Sequence, residues 1–294
     1  MPSSVYVSGR SEESRSRHVD ELNARAAATR FVDIERQEPG QFSLVDGDMV
    51  RLRSPRELKA FWVDYAQTAS AVYLDITGLA HHVWAPLVTS GLAAGVPLNV
   101  VYVEPLKYRR NEISSGSDLF DLTVGLGGMS PLPGFLSLAE PDEDEFLFVP
   151  LLGFEGRRFS YLMSEVAPAG DRVVPIIGVP GFQPEFVGFA YDGNRIPLLD
   201  NDAWQRVRFA VANCPFAVFY ELEAIAQANP QSFLKIAPIG TKPHGLGAVL
   251  FALAYPDLVE LVYDHPLRKE KRTEGAARLL VYDVGALATW RAIA

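Results

Sequence analysis

"LKIAPIGTKPHGLGAVLFALAYPDLVELVYDHP", residues 234–266, decides the fold. An apolar run stops at Gly240. Thr241, Lys242, Pro243 and His244 form a polar bend, and a helix-length apolar stretch follows. A second apolar run then closes at Pro266. Short β-rich runs separated by a helical pattern are the signature of a βαβ unit in a parallel sheet.

Two other stretches repeat the pattern. Residues 72–105, VYLDITGLAHHVWAPLVTSGLAAGVPLNVVYVEP, bend at Gly78 and close at Pro105. Residues 147–180, LFVPLLGFEGRRFSYLMSEVAPAGDRVVPIIGVP, bend at Gly153 and close at Pro180. A weaker unit opens the chain, with a turn at Gly9 between VYVS and TRFVDIE. Strands such as LNVVYVEP and VVPIIGVP are apolar on both faces, which suits a sheet covered on both sides. The sequence therefore reads as α/β: Rossmann-like parallel sheets with helices on both faces, compatible with two pseudo-duplicated halves. Coincidence of α/β texture is the competing account of the repeat. The expected boundaries are an N-terminal half at 1–110, a Gly/Pro/Asp-rich connector at 111–145 that crosses or lids the molecule, and a C-terminal half at 146–294 carrying the Gly-Thr-Lys turn.

Composition narrows the function. The 294 residues are 48% hydrophobic and 21% charged, with a net charge of −9. That balance argues against broad nucleic-acid binding and leaves room for a local basic pocket. No apolar run reaches membrane-spanning length and the start lacks a secretory core, so a cytoplasmic protein without membrane partners is expected. One cysteine, Cys214, excludes an internal disulfide and a Cys-rich zinc site; it reads as a core thiol. His81 and His82 are adjacent and make a poor metal pair. No metal or cofactor is expected.

In open α/β sheets ligands bind beyond the carboxyl ends of the strands, where all the glycine turns sit. Their contents are Thr77-Gly78, Gly153-Phe154-Glu155-Gly156-Arg157 and Gly240-Thr241-Lys242, the last followed by His244. Glycine allows close backbone approach, and a helix start offers N–H groups and partial positive charge. Thr and Lys add a hydroxyl and a cation. Neither the P-loop spacing nor G-x-G-x-x-G is present. The basic run Arg268, Lys269, Lys271 and Arg272 follows Asp264 and reads either as a focused anion-binding arm or as a solvated loop. Asp75 sits where it would bond a ribose or cap a helix. Glu155 is the preferred general base if one exists, and otherwise a first-turn helix acid. Asn194 and Arg195, in YDGNRIP, read as a turn. No nucleophile elbow or paired-carboxylate motif is visible.

The run IAPIGTKPHGLGAVLFALA, residues 236–254, resembles the strand-GTK-helix element of the CARF group, CRISPR-associated Rossmann-fold sensor domains. Gly240, Thr241 and Lys242 match the turn, and Gly245 to Ala248 the helix start; Pro243-His244 depart from it. SAVED domains look like two such units in one chain. The resemblance implies a sensor of prokaryotic antiviral defence that binds a cyclic oligoadenylate or related nucleotide at the strand ends and signals to a protein partner. Two alternatives stand beside it. One is a nucleotide-processing enzyme drawing on Glu155, Lys242, His244 and Asp264. The other is a structural subunit of a defence complex whose turns serve packing.

Overall fold

The structure is a computed structural model and describes residues 3–11, 13–66, 69–110, 120–137 and 145–286. The chain divides into two compact units, Met1–Tyr108 with Glu270–Ala294, and Arg109–Lys269.

The first unit contains β1 (Ser4–Gly9), α1 (His18–Arg25), β2 (Thr29–Glu38), β3 (Gln41–Leu44), β4 (Met49–Arg51), α2 (Pro55–Ala66), β5 (Ala71–Asp75), α3 (His81–Ala93) and β6 (Leu98–Tyr108). The second contains β7 (Thr123–Leu126), β8 (Ser130–Pro131), β9 (Phe146–Leu152), α4 (Gly156–Val166), β10 (Ile176–Gly178), α5 (Phe186–Asp200), β11 (Arg208–Ala210), α6 (Pro215–Ala228), β12 (Phe233–Ala237), α7 (Lys242–Ala254), β13 (Val259–Tyr263) and β14 (Pro266–Arg268). The chain then returns to the first unit as β15 (Thr273–Asp283).

The first sheet runs β15-β6-β5-β1-β2-β3-β4, with β6, β5, β1 and β2 mutually parallel. The second runs β11-β10-β9-β12-β13-β8, all parallel except β8. Read side by side, β6-β5-β1-β2 and β13-β12-β9-β10 have the same order, and each carries an antiparallel strand beyond its β6 or β13 end. Residues 234–266 thus correspond to 72–105, and 147–180 to the opening unit. The expected α/β fold is present, with the two halves alike in their central topology.

Right-handed connections, the rule for parallel strands, place α4 and α5 on one face of the second sheet and α6 and α7 on the other. The packing agrees: α4 lies on α5, and α6 on α7. Every residue of β9 is buried, as are Phe159 and Leu162 of α4 and most of α7. A strand pressed from both sides needs apolar residues at successive positions, and FLFVPLL supplies them.

Three expectations change. The C-terminal half does not run from 146 to 294, because β15 pairs with β6 from Thr273↔Tyr108 to Asp283↔Asn99 and belongs to the first sheet. The described part of the connector, 120–137, is built into the second unit, with β8 on β13 and β7 on β14; the rest of 111–145, apart from Glu145, lies outside the described residues. YDGNRIP is not a turn but the body of α5. Its Gly193 is there for contact: a Cβ would stand 2.0 Å from the Phe154 carbonyl oxygen. Among the described residues no helix is long and apolar enough to cross a membrane.

Candidate functional site

The chain leaves β9 toward β10 on one side, and after β11 returns to β12 on the other. The gap between the carboxyl ends of β9 and β12 is therefore the topological switch point of the second sheet. Gly153 and Gly240 lie there. A Cβ on Gly240 would come within 2.7 Å of the Leu152 carbonyl oxygen, and one on Gly153 within 3.1 Å of the Ile239 oxygen. Neither glycine has a positive φ, so both are needed because the two chains press together at the rim.

From this rim α7 starts on one face. Thr241 is its N-cap: Oγ1 accepts from the His244 N–H at 3.2 Å and donates to the Ala212 carbonyl at 2.7 Å. Capping of this kind satisfies one of the helix's open N–H groups and here also ties the helix to the loop after β11. Lys242, the first helical residue, is 5% exposed. His244 is fully buried, and its Nε2 donates to the Val211 carbonyl at 3.2 Å. A carbonyl only accepts, so Nδ1 is the bare nitrogen, and it has no partner. Burial lowers the His244 pKa to about 4. A Cβ on Gly178 would stand 2.7 Å from Ala212 Cβ and 3.6 Å from His244 Cε1. The ends of β10 and β11 thus meet around this histidine.

On the other face α4 starts with no side-chain cap. Glu155 precedes it, and its carboxylate accepts from Leu122 N–H at 2.9 Å and Thr123 Oγ1 at 2.7 Å. Arg157 pairs with Asp121 at 3.0 Å and donates to the Thr123 carbonyl. Lys269 pairs with Asp121 from the other side. Residues 121–123 are therefore strapped to the first turn of α4 by charge. Phe120 adds an aromatic contact, with ring centroids 4.8 Å from Phe154 and 5.1 Å from Phe189.

Beneath the rim lies a buried ion pair. Arg158 donates to Asp264 through Nε at 2.7 Å and Nη2 at 2.6 Å, and through Nη1 to the Ile239 carbonyl at 2.9 Å. It locks α4 to the ends of β12 and β13. Asn194 of α5 is also fully buried. Its amide donates to the Gly153 and Ala190 carbonyls, each at 2.7 Å, and its Oδ1 has no partner.

Eight of the residues singled out in the sequence therefore share one rim, Gly153, Glu155, Gly156, Arg157, Gly240, Thr241, Lys242 and His244, with Asp264 buried beneath it. The basic run is divided. Arg268 lies in β14 and Lys269 just after it, in the second unit, whereas Arg272 belongs to the first and pairs with Glu13 at 2.6 Å. Opposite charges separate the expected arm into two structural clasps. Thr77 and Gly78 also lie in the first unit. Thr77 Oγ1 accepts from Val103 N–H at 2.9 Å, and Gly78 is pressed against Gly9, where a Cβ would sit 2.0 Å from the carbonyl oxygen. Gln37 fills that turn: its Nε2 donates to the Gly78 carbonyl at 3.1 Å and its Oε1 accepts from Ala80 N–H, the N-cap of α3, at 2.6 Å. The first rim is thus filled from within by a glutamine side chain.

Arg158, Asp121 and Gln37 carry no signal in the sequence beyond ordinary polarity. Asp75 does not cap α3; it holds His18, Tyr6 and the Thr77 N–H. Cys214 is half-buried at the start of α6. No group of three or more metal-ligating side chains occurs among the described residues. No protein-family model matches this sequence, and no curated protein is significantly similar to it.

Proposed function

We propose that the second unit binds a phosphate-bearing, nucleotide-type ligand at the carboxyl rim of its sheet and passes its occupancy to a protein partner. One observation carries this reading: Arg157 and Lys242 open the two helices that flank the single reversal of strand order. Paired helix starts place N–H groups and partial positive charge where an anion enters. The acids a cleaving enzyme would use are already engaged, Glu155 by the 122–123 strap and Asp264 by Arg158, which favours recognition over catalysis.

The Gly240-Thr241-Lys242 turn, by its resemblance to CARF domains, extends the proposal to a cyclic oligonucleotide of a prokaryotic defence system. Two sheets of like central order in one chain agree with a SAVED-like layout. The test is thermal denaturation with ATP, cyclic di-AMP and cyclic oligoadenylates. At a hundredfold excess over Kd a bound ligand adds about 2.7 kcal/mol. Lys242→Ala should keep the fold and lose the shift. Chromatography of the ligand after incubation separates binding from cleavage. A panel with no shift for the wild type refutes the proposal, and so does a shift that Lys242→Ala leaves unchanged.

A further inference from the structure

The helix α1 buries none of its own residues. An isolated helix of this length is not stable in water, and its apolar residues Val19 and Leu22 are only half-buried, so polar contacts share in holding it. Its first residue, His18, makes the most extensive of them. His18 Nδ1 lies 2.9 Å from the Arg15 carbonyl oxygen. Its Nε2 lies 3.1 Å from Asp75 Oδ2 and 2.9 Å from Tyr6 Oη. Tyr6 Oη is in turn 3.2 Å from the same carboxylate oxygen. Asp75 cannot swing away, because its Oδ1 accepts from Thr77 N–H at 2.8 Å.

The donors can be counted. A carbonyl and a carboxylate both only accept. Nδ1 must therefore carry hydrogen for Arg15, and Nε2 must carry hydrogen for Asp75. Tyr6 then accepts from Nε2 and donates to Asp75, and every contact is satisfied. With one proton fewer, a bare Nε2 faces a carboxylate oxygen at 3.1 Å. The single Tyr6 proton serves the nitrogen or the oxygen, not both. With both ring nitrogens engaged internally, this trio holds the chain together rather than acting on a substrate.

We propose that His18 is a proton-operated latch: protonated, it fastens α1 to the first sheet, and on losing its proton it lets the helix go. The ring stands edge-on to Tyr6 at 6.4 Å, and Tyr6 is flanked by Phe31 at 5.6 Å and Tyr73 at 6.2 Å. Release would bare this aromatic row. The groups facing His18 are Asp75 from β5, Tyr6 from β1, the Arg15 carbonyl from the preceding turn and Asp20 from α1 itself. The Arg15 guanidinium is turned away onto Glu13 and Tyr102. Burial opposes the charge on His18, and Asp75, with the Arg15 carbonyl and Asp20, outweighs it, so the folded pKa is raised. The latch is complete below about pH 6.5 and is lost as pH rises through the raised folded value.

The test uses the full chain. The His18 imidazole resonance, assigned by its loss in His18→Gln, should titrate with a midpoint above about 6.5. Amide exchange of residues 18–25, corrected for intrinsic pH dependence, should accelerate by up to about tenfold for each pH step between about 6.5 and that midpoint and level off above it. Exchange in β5 should not follow. Asp75→Asn should lower the midpoint. His18→Gln alters no strand residue and should leave α1 poorly protected at every pH. A midpoint at or below the ordinary histidine value overturns the latch, as does α1 protection that ignores pH in the wild type or persists in His18→Gln.

Discussion

The buried His244 makes the second unit acid-sensitive by a definite amount. Its Nε2 hydrogen is used by the Val211 carbonyl, so an added proton must go to Nδ1, which is buried and has no partner. The folded pKa is about 4, against about 6.5 in the unfolded chain. Between those values the unfolded state holds one proton more than the folded state, so stability falls as pH falls, by about 1.4 kcal/mol per pH step. The whole effect is about 3 kcal/mol, complete near pH 4 and absent above about pH 6.5. That is a roughly 300-fold change in the folded-to-unfolded ratio. The comparison to make is wild type against His244→Gln, which keeps a donor for Val211 and binds no proton. Hydrogen exchange of β9 and β12 amides from pH 7 to 4, corrected for intrinsic rates, reads the opening of this unit alone. Carboxylates titrate equally in both proteins, so the difference between the two curves belongs to His244. Curves that stay parallel within about 0.5 kcal/mol, or a His244 resonance that titrates at the ordinary value, would refute the reasoning.

Asp264→Ala leaves the Arg158 guanidinium buried without its carboxylate, and should cost the second unit about 3–5 kcal/mol in urea unfolding, far more than the Arg158→Leu, Asp264→Leu double variant. Gly240→Ala forces a methyl group against the Leu151 and Leu152 carbonyls and should cost about 1–3 kcal/mol by the same assay, while Gly40→Ala, with nothing within 4 Å of the new methyl, should be near neutral. Glu13 accepts from Arg15, Arg272 and Thr273. Burial raises its pKa, but Arg15 and Arg272 outweigh that and hold it far below the usual carboxylate range. Its contribution to the first unit is therefore present above about pH 4.3 and lost as pH falls; acid unfolding followed at β15 amides should begin at higher pH in Glu13→Gln.

The three glycine-to-proline repeats became β5–α3–β6, β9–α4–β10 and β12–α7–β13 because each is a local event. An apolar run, a bend and an amphipathic or buried helix are set by neighbours within one stretch of chain. What escaped notice is long-range or two-sided. The segment TEGAARLLVYD is exposed along most of its length, and its partner β6 lies far away in the sequence, so nothing local marks it as the edge of the first sheet. YDGNRIP misled because its two turn-forming residues serve contact instead, Gly193 against Phe154 and Asn194 against Gly153. The site was legible as glycine turns at strand ends, but not in its charges. Arg157 and Arg158 are neighbours of one type, and only packing decides that the first meets a surface strap and the second a buried aspartate. The basic run 268–272 looked like one arm because its partners, Asp121 and Glu13, are distant in sequence.

The return of the chain as β15 bears on how the molecule is made. Tyr108 and Thr273 are cross-strand partners, so the whole of the second unit is spliced between two adjacent strands of the first. During synthesis the inserted unit is a finished, contiguous segment while its host still lacks an edge. The unit that begins before the inserted one is thus completed after it, and β6 has to wait, unpaired on that side, until Thr273–Asp283 has emerged.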